Sequence, residues 1–254
     1  MTRVALLFHS SELSGAELGT VRMLRSLPDD VEVECVVLQD GPIADRLRAD
    51  GRPVHVIPAD PRVTAHERSR VGPLRAVVGA ARSVPTVRRV ARLLARLDVD
   101  AACSTSLKTA LLAVPIARLA GVPLVWHLHD RIAPDYLPAH AVRLIRALAR
   151  HAPASVIVNS ASAAKTLPGV DAVVAHPGLT AEQIATRPRP QPTGHPVIGM
   201  VGRLSETKGQ LQMVRAMPSV LAAHRTPGCA SSARRSSVRR PTRRPCARRS
   251  PVSA

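Results

Sequence analysis

Residues 197–210 read VIGMVGRLSETKGQ. Val197 to Val201 is a nearly unbroken apolar run, the pattern of a short strand buried on both faces. Gly202 ends it, and Arg203, Lys208 and Gly209 follow within one tight loop. A helical pattern then opens at Leu211. A strand, a glycine loop carrying two cations and a helix start make a place to hold phosphate, because backbone N–H groups and the helix dipole add to the side-chain charge. Taken alone, the stretch is better read as an ordinary strand-to-helix turn with solvated charges.

GRLSETKG resembles the GR-L-x-x-x-KG loop of family-4-like retaining glycosyltransferases, sugar-nucleotide enzymes of the two-domain GT-B fold. The resemblance implies an α/β class: a Rossmann-like parallel sheet with helices on both faces, the N-terminal half of a GT-B fold. It implies that Arg203 and Lys208, beside Gly202, contact the diphosphate of a nucleotide-sugar donor. Residues 1–185 are then the acceptor-side domain, 186–196 a linker, and 197–224 the first strand, loop and helix of the donor-binding domain. Only 58 residues remain from Val197 onward, so the second domain is expected to be truncated and the chain inactive alone. The family's paired-glutamate motif is not found, and the last acidic residue is Glu206.

An apolar content of 45% over 254 residues is enough for a core, and with one Trp, one Tyr and one Phe that core must be aliphatic. The stacking platforms on which nucleic-acid bases rest are almost absent, so no specific nucleic-acid partner is expected. The net charge of +18 comes mostly from arginine. Cys35, Cys103, Cys229 and Cys246 follow no metal or disulfide spacing, which fits a reducing cytoplasm. The apolar run Val4 to Phe8 is too short for a signal peptide, and Ala110 to Ala117, with Pro115 inside it, is too short to span a bilayer.

Along the chain, apolar runs at Arg3–His9, Val31–Leu38, Val54–Ile57, Ala101–Ser104, Val122–Leu128, Ser155–Asn159 and Ala172–Ala175 read as strands. Helical patterns separate them at Gly15–Leu27, Ile43–Asp50, Pro73–Leu97, Leu107–Ala120 and Pro138–Arg150. That alternation predicts βαβ units and a parallel sheet. The helix over Pro73–Leu97 is expected to break near Pro85. Arg75, Arg82, Arg89 and Arg96 recur on it every seven residues, with Arg88 and Arg92 beside them. That stripe is either a solvated face or a surface for anionic lipid, and a kink would interrupt it. Pro58–Gly72 is a long polar loop, and Thr186–Pro196, rich in proline, is a linker.

Ligands of an open parallel sheet bind at the carboxyl ends of its strands. Those ends carry His9 and Ser10, Ser104 to Ser106, His127 to Asp130, and Asn159 with Ser160. HSSELSGAE resembles the family's GG-x-E segment, with Ser14 in place of the first glycine. That implies donor phosphates near the Gly15 backbone and a role for Glu17, although a carboxylate is favoured in a first helical turn anyway. LVWHLHD places His127 and His129 on one strand face. The resemblance makes His127 the residue that meets the donor sugar. A metal site with Asp130 and a satisfied core histidine are the alternatives. VIVNSAS resembles the family's VIANSE segment, implying donor-side roles for Asn159 and Ser160, and Ser106 and Ser160 also fit as helix caps. VVAHPGL departs from the family's Asn-Gly-Val, and no role is given to His176 or Pro177. The resemblance implies no metal cofactor. It implies a nucleotide-sugar donor, an acceptor that is a saccharide or lipid-linked, and a cytoplasmic enzyme able to touch a membrane surface. A non-catalytic partner of a separate donor domain and an arginine-led binder of membrane or nucleic acid are the other classes.

After His224 the text changes. Residues 225–254 hold nine arginines and no Asp, Glu, Leu, Ile, Met or aromatic residue, a composition that cannot bury enough apolar surface to offset its ordering entropy. Disorder is expected, and a shifted reading frame would explain the break. Translating the other frames beyond the codon for His224 should reveal a strand-and-helix pattern. If neither frame contains one, the frameshift explanation is wrong.

Overall fold

The computed structural model describes residues 1–60, 73–184, 198–202 and 208–224. The chain divides into two compact units, Met1–Ala185 and Thr186–Ala254. The linker at 186–196, residues 61–72 of the polar loop, Arg203 and the tail at 225–254 lie outside the described residues.

The first unit is a seven-stranded sheet: β1 (Thr2–Phe8), β2 (Val31–Val37), β3 (Val54–Val56), β4 (Ala101–Ser104), β5 (Leu124–Leu128), β6 (Ser155–Val158) and β7 (Ala172–Val174). The order is β3-β2-β1-β4-β5-β6-β7, and every neighbouring pair is parallel. The helices are α1 (Gly15–Leu24), α2 (Pro42–Ala49), α3 (Pro73–Leu97), α4 (Leu107–Ala120), α5 (Ala139–His151) and the short α6 (Ala161–Ala164). This is the Rossmann-like α/β arrangement expected from the sequence, with boundaries shifted by at most three residues.

The strand periodicity sorts side chains onto two cores. On β1, Ala5 and Leu7 face one side with α3, α4 and α5, while Leu6 and Phe8 face the other with α1 and α2. All four are at most 3% exposed, which is why the central strand reads as a solid apolar run rather than an alternating one. Trp126, fully buried, is the largest side chain of the first core. At the end of α4, Gly121 adopts a left-handed φ of 73°, a conformation that suits glycine at a helix C-terminus.

Two expectations are corrected. α3 does not break at Pro85: it runs 25 residues through it. Pro85 sits on the exposed side, opposite Ser83, Thr86, Val87, Val90 and Leu94. The carbonyl that its missing N–H leaves unpaired, on exposed Ala81, therefore faces water rather than core. Pro115 in α4 is tolerated on the same terms, being exposed among buried neighbours. The arginine stripe is consequently uninterrupted, with Arg82, Arg88, Arg89, Arg92 and Arg96 all exposed; the Arg75 side chain lies outside the described residues.

The second correction concerns the strand expected at Val197 to Val201. Ile198 to Val201 form no strand and are exposed, and Val197 is not among the described residues. A strand exists only through ladder bonds to a neighbour. The second unit's described residues supply one helix, α7 (Gln210–Ala223), and no strand to pair with. α7 has no buried residue, and its N-cap, Gly209, takes a left-handed φ of 76°.

Pro85→Ala should stabilise the first unit by about 1–3 kcal/mol, because it restores one helical hydrogen bond at an exposed position. Urea unfolding measures this. A destabilised variant would mean that α3 needs the proline's geometry.

Candidate functional site

The carboxyl edge of the sheet gathers the polar residues, and the topology makes the middle of that edge special. β1 has β2 on one side and β4 on the other, so chain direction across the sheet reverses between β1 and β4. In open parallel sheets such a reversal is where loops diverge and ligands usually bind. Thr105 ties β4 to β1 there: its N–H and Oγ1 both donate to the Leu7 carbonyl, at 3.2 and 2.8 Å.

On the β1 side, the loop from His9 leads into α1. Ser14 is the N-cap, yet its side chain caps nothing. Its hydroxyl donates to the Glu17 carboxylate, which is only 4% exposed. The first N–H groups of α1 therefore have no side-chain cap. An added Cβ at Gly15 would meet nothing within 4 Å, so no contact inside the chain requires glycine there.

On the β4 side, Ser106 and Thr109 form a capping box at the start of α4. Ser106 Oγ also lies 2.8 Å from His9 Nδ1, a contact between residues 97 positions apart. His9 is thus tied to the start of α4 by a serine that the sequence read only as a strand-end residue and a cap. No periodicity or spacing could have found this pair, because only the β1–β4 adjacency brings them together.

β5 delivers His127 and His129 side by side, with ring centroids 4.3 Å apart and planes tilted by 47°. Burial pushes the His127 imidazole down to about 4, and the neighbouring His129 adds to the push. Burial lowers His129 too, while Asp130 and Glu17 pull the other way. At neutral pH both rings are uncharged, so they act as hydrogen-bond donors and acceptors rather than as cations. His129 Nε2 is buried without a hydrogen-bond partner among the described residues. Asp130 accepts from the Tyr136 hydroxyl at 2.9 Å, a contact that sequence reading missed.

β6 holds this arrangement from the side. Asn159 Nδ2 donates to the His129 carbonyl at 3.1 Å, and Ser160 Oγ donates to Asn159 Oδ1 at 3.2 Å. Ser160 also caps α6 by accepting from Ala163 N at 3.2 Å. Arg146 of α5 fixes the loop beyond β5 through the Ile132 and Thr166 carbonyls, both at 2.9 Å. No group of three or more His, Cys, Asp or Glu able to hold a metal ion occurs among the described residues.

His127, Asn159 and Ser160 are therefore brought to one edge, and Glu17 acts electrostatically on the neighbouring His129. Gly15 stands at the N-terminus of α1 on the same unit. Gly202 and Lys208 belong to the second unit, and Arg203 lies outside the described residues.

Residues 14–176 match the family model of the glycosyl transferase 4-like domain. The chain belongs to that family. The glycosyl transferase 4-like chain is also similar in fold to solved structures. Anabaena Alr3699/HepE, crystallised with UDP and glucose, matches with a TM-score of 0.56 and 22% identity over 70% of this chain and 45% of that one. HepE with UDP-glucose matches with a TM-score of 0.55 at 21% identity, over 70% of this chain and 44% of that one. The lipopolysaccharide outer core galactosyltransferase WaaB, in its apo form, gives 0.51 at 10% identity, over 76% of this chain and 50% of that one. These likenesses show the GT-B fold, of which this chain has the N-terminal half, and the chain spans half or less of each of these proteins. No curated protein matches the sequence. No helix of the glycosyl transferase 4-like chain is long and apolar enough to cross a membrane, among the described residues.

The half-buried histidines set an acid limit. Between the unfolded value of about 6.5 and the folded value of about 4, the unfolded chain binds protons that the folded chain refuses. Stability is therefore full above about pH 6.5 and declines as pH falls towards 4. His127→Gln should flatten that decline in urea titrations run across this range; a variant whose decline parallels the parent would show that His127 is not its source.

Proposed function

We propose that this chain carries the acceptor-side part of a retaining glycosyltransferase that moves a sugar from a nucleotide-diphosphate sugar to an acceptor hydroxyl. The observation that carries the reading is the glycosyl transferase 4-like match over residues 14–176, which includes the helix N-terminus at Gly15 and both edge histidines. The open space before Gly15 and the uncapped start of α1 suit a close approach by donor phosphate. His127, neutral and half-buried, suits a hydrogen bond to a sugar hydroxyl. Asn159 and Ser160 act on the donor side by holding the end of the histidine strand in place, and Glu17 acts there through its charge near His129.

Negative charge builds on the departing diphosphate as the glycosidic bond breaks. In this reading Arg203 and Lys208, beside Gly202, stabilise that charge together with the N–H groups near Gly15. No side chain serves as a nucleophile, and no metal is needed. The exposed arginine face of α3, unbroken at Pro85, supports a cytoplasmic enzyme resting on an anionic membrane surface, with a lipid-linked acceptor within reach. A saccharide acceptor remains compatible with the same edge.

The chain as given is inactive alone in this proposal, consistent with its covering less than half of HepE. Isothermal titration of the 254-residue chain with UDP-glucose should show no micromolar binding, and clear micromolar binding would contradict the proposed inactivity. A longer chain continued in the alternative frame after His224 should transfer sugar. In it Arg203→Ala or Lys208→Ala should each lower kcat/KM about 100- to 1,000-fold; a change below tenfold would remove these two residues from the diphosphate site.

A further inference from the structure

The loop that leads from β1 into α1 is fastened to the turn that leads from β2 into α2. Gly41 is the N-cap of α2 and has no side chain with which to cap it. The Ile43 N–H, in the first turn of α2, donates instead to the carbonyl of Ser11 in the other loop, at 3.0 Å. Ser11 comes so close that only glycine fits beneath it. A Cβ built on Gly41 would lie 2.8 Å from the Ser11 Cβ and 3.4 Å from the Ser11 carbonyl oxygen. Gly41 also takes a φ of 146° with a ψ of -161°, a conformation that is essentially glycine's alone. Beyond this contact the loop turns into α1 through its own bonds. The Glu12 N–H donates to Ser10 Oγ and the Ser14 N–H to the Glu12 carbonyl, both at 3.1 Å.

We propose that Gly41 is a positioning residue for donor phosphate: by leaving room for Ser11 it fixes where α1 begins, and so where the N–H groups around Gly15 stand. The phosphate rests on the donor role of Gly15 in the function proposed above; the fastening of the two loops stands on the geometry alone. Gly41 acts through Ser11 and touches no ligand itself. A helix start attracts an anion only while several N–H groups converge on one point, and a loop displaced by about an ångström breaks that convergence. Gly51, at the other end of α2, supplies the contrast. It too has a left-handed φ, 73°, but a Cβ there would meet nothing within 4 Å. Gly51 therefore serves its own helix end, and Gly41 serves the neighbouring loop.

The test is amide NMR on the 15N-labelled 254-residue chain, titrated with inorganic pyrophosphate into the millimolar range and read at Gly15 and Ala16. If a seated loop favours the anion, the anion must favour the seated loop. Saturating pyrophosphate should therefore slow hydrogen exchange at the Ile43 amide and leave the rest of α2 unchanged, a readout that needs no variant. Gly41→Ala should shift the signals of residues 10–17 and weaken pyrophosphate binding at Gly15 about three- to tenfold. Gly51→Ala strains the backbone without touching the loop; it should lower stability to urea and leave that binding as in the parent. Adding Ser11→Gly to Gly41→Ala removes the side chain that the new methyl strikes. The pair should regain most of the binding but not the stability lost to backbone strain. Unchanged exchange at Ile43, full binding by Gly41→Ala, an equal loss in Gly51→Ala, or no recovery in the pair would each overturn the inference. Pyrophosphate bound at Gly15 with Ile43 indifferent to it would refute the inference and leave the proposed function standing; no response at Gly15 in the parent would sink the donor role of Gly15 as well.

Discussion

The functional edge of this protein depends on one ladder, the parallel pairing of β1 with β2 on one flank and β4 on the other. Parallel strands must be joined by crossovers, so every strand ends at the same edge of the sheet. The register sets which residues arrive there. Leu6 pairs with Cys35 and Cys103, and Leu7 with Val36 and Ser104. A slip by one residue would exchange the two core faces and turn His9 away from Ser106. The buried, unbroken apolar run of β1 resists that slip because both of its faces are packed.

The edge so formed is chemically specialised. The first unit contributes mostly groups that are neutral near pH 7, namely two half-buried imidazoles, serine and threonine hydroxyls and an asparagine amide. Its buried acid, Glu17, is held by Ser14 and lends a field to His129. Such a surface can read hydroxyls and orient them. In the proposed reading the charge of a departing diphosphate is balanced instead by Arg203 and Lys208, which are encoded beyond Ala185.

Several local signals were overruled by their surroundings. Pro85 reads as a helix breaker, but on a solvent-facing turn water takes up the unpaired carbonyl and the flanking apolar contacts carry the helix through. Ser14 stands at the N-cap of α1, but its hydroxyl goes to a buried carboxylate, whose desolvation makes it the more demanding partner. The run Val197 to Val201 reads as a buried strand, but the described part of it has no neighbour to pair with. Ser160 caps α6 as read, and the same hydroxyl also donates to Asn159, a contact that the sequence did not announce.

The sequence alone determined the alternation of strands and helices, the parallel sheet and the edge on which the polar residues collect, because these follow from local periodicity and from apolar runs a few residues long. It also placed His127 beside His129, since two residues along one strand share a face. It could not supply the link from Ser106 to His9, the hydroxyl of Tyr136 on Asp130, or the neutral state of the histidine pair. Those depend on which strands become neighbours and on how deeply their ends are buried. Such facts arise only when distant segments pair, and no local pattern encodes them.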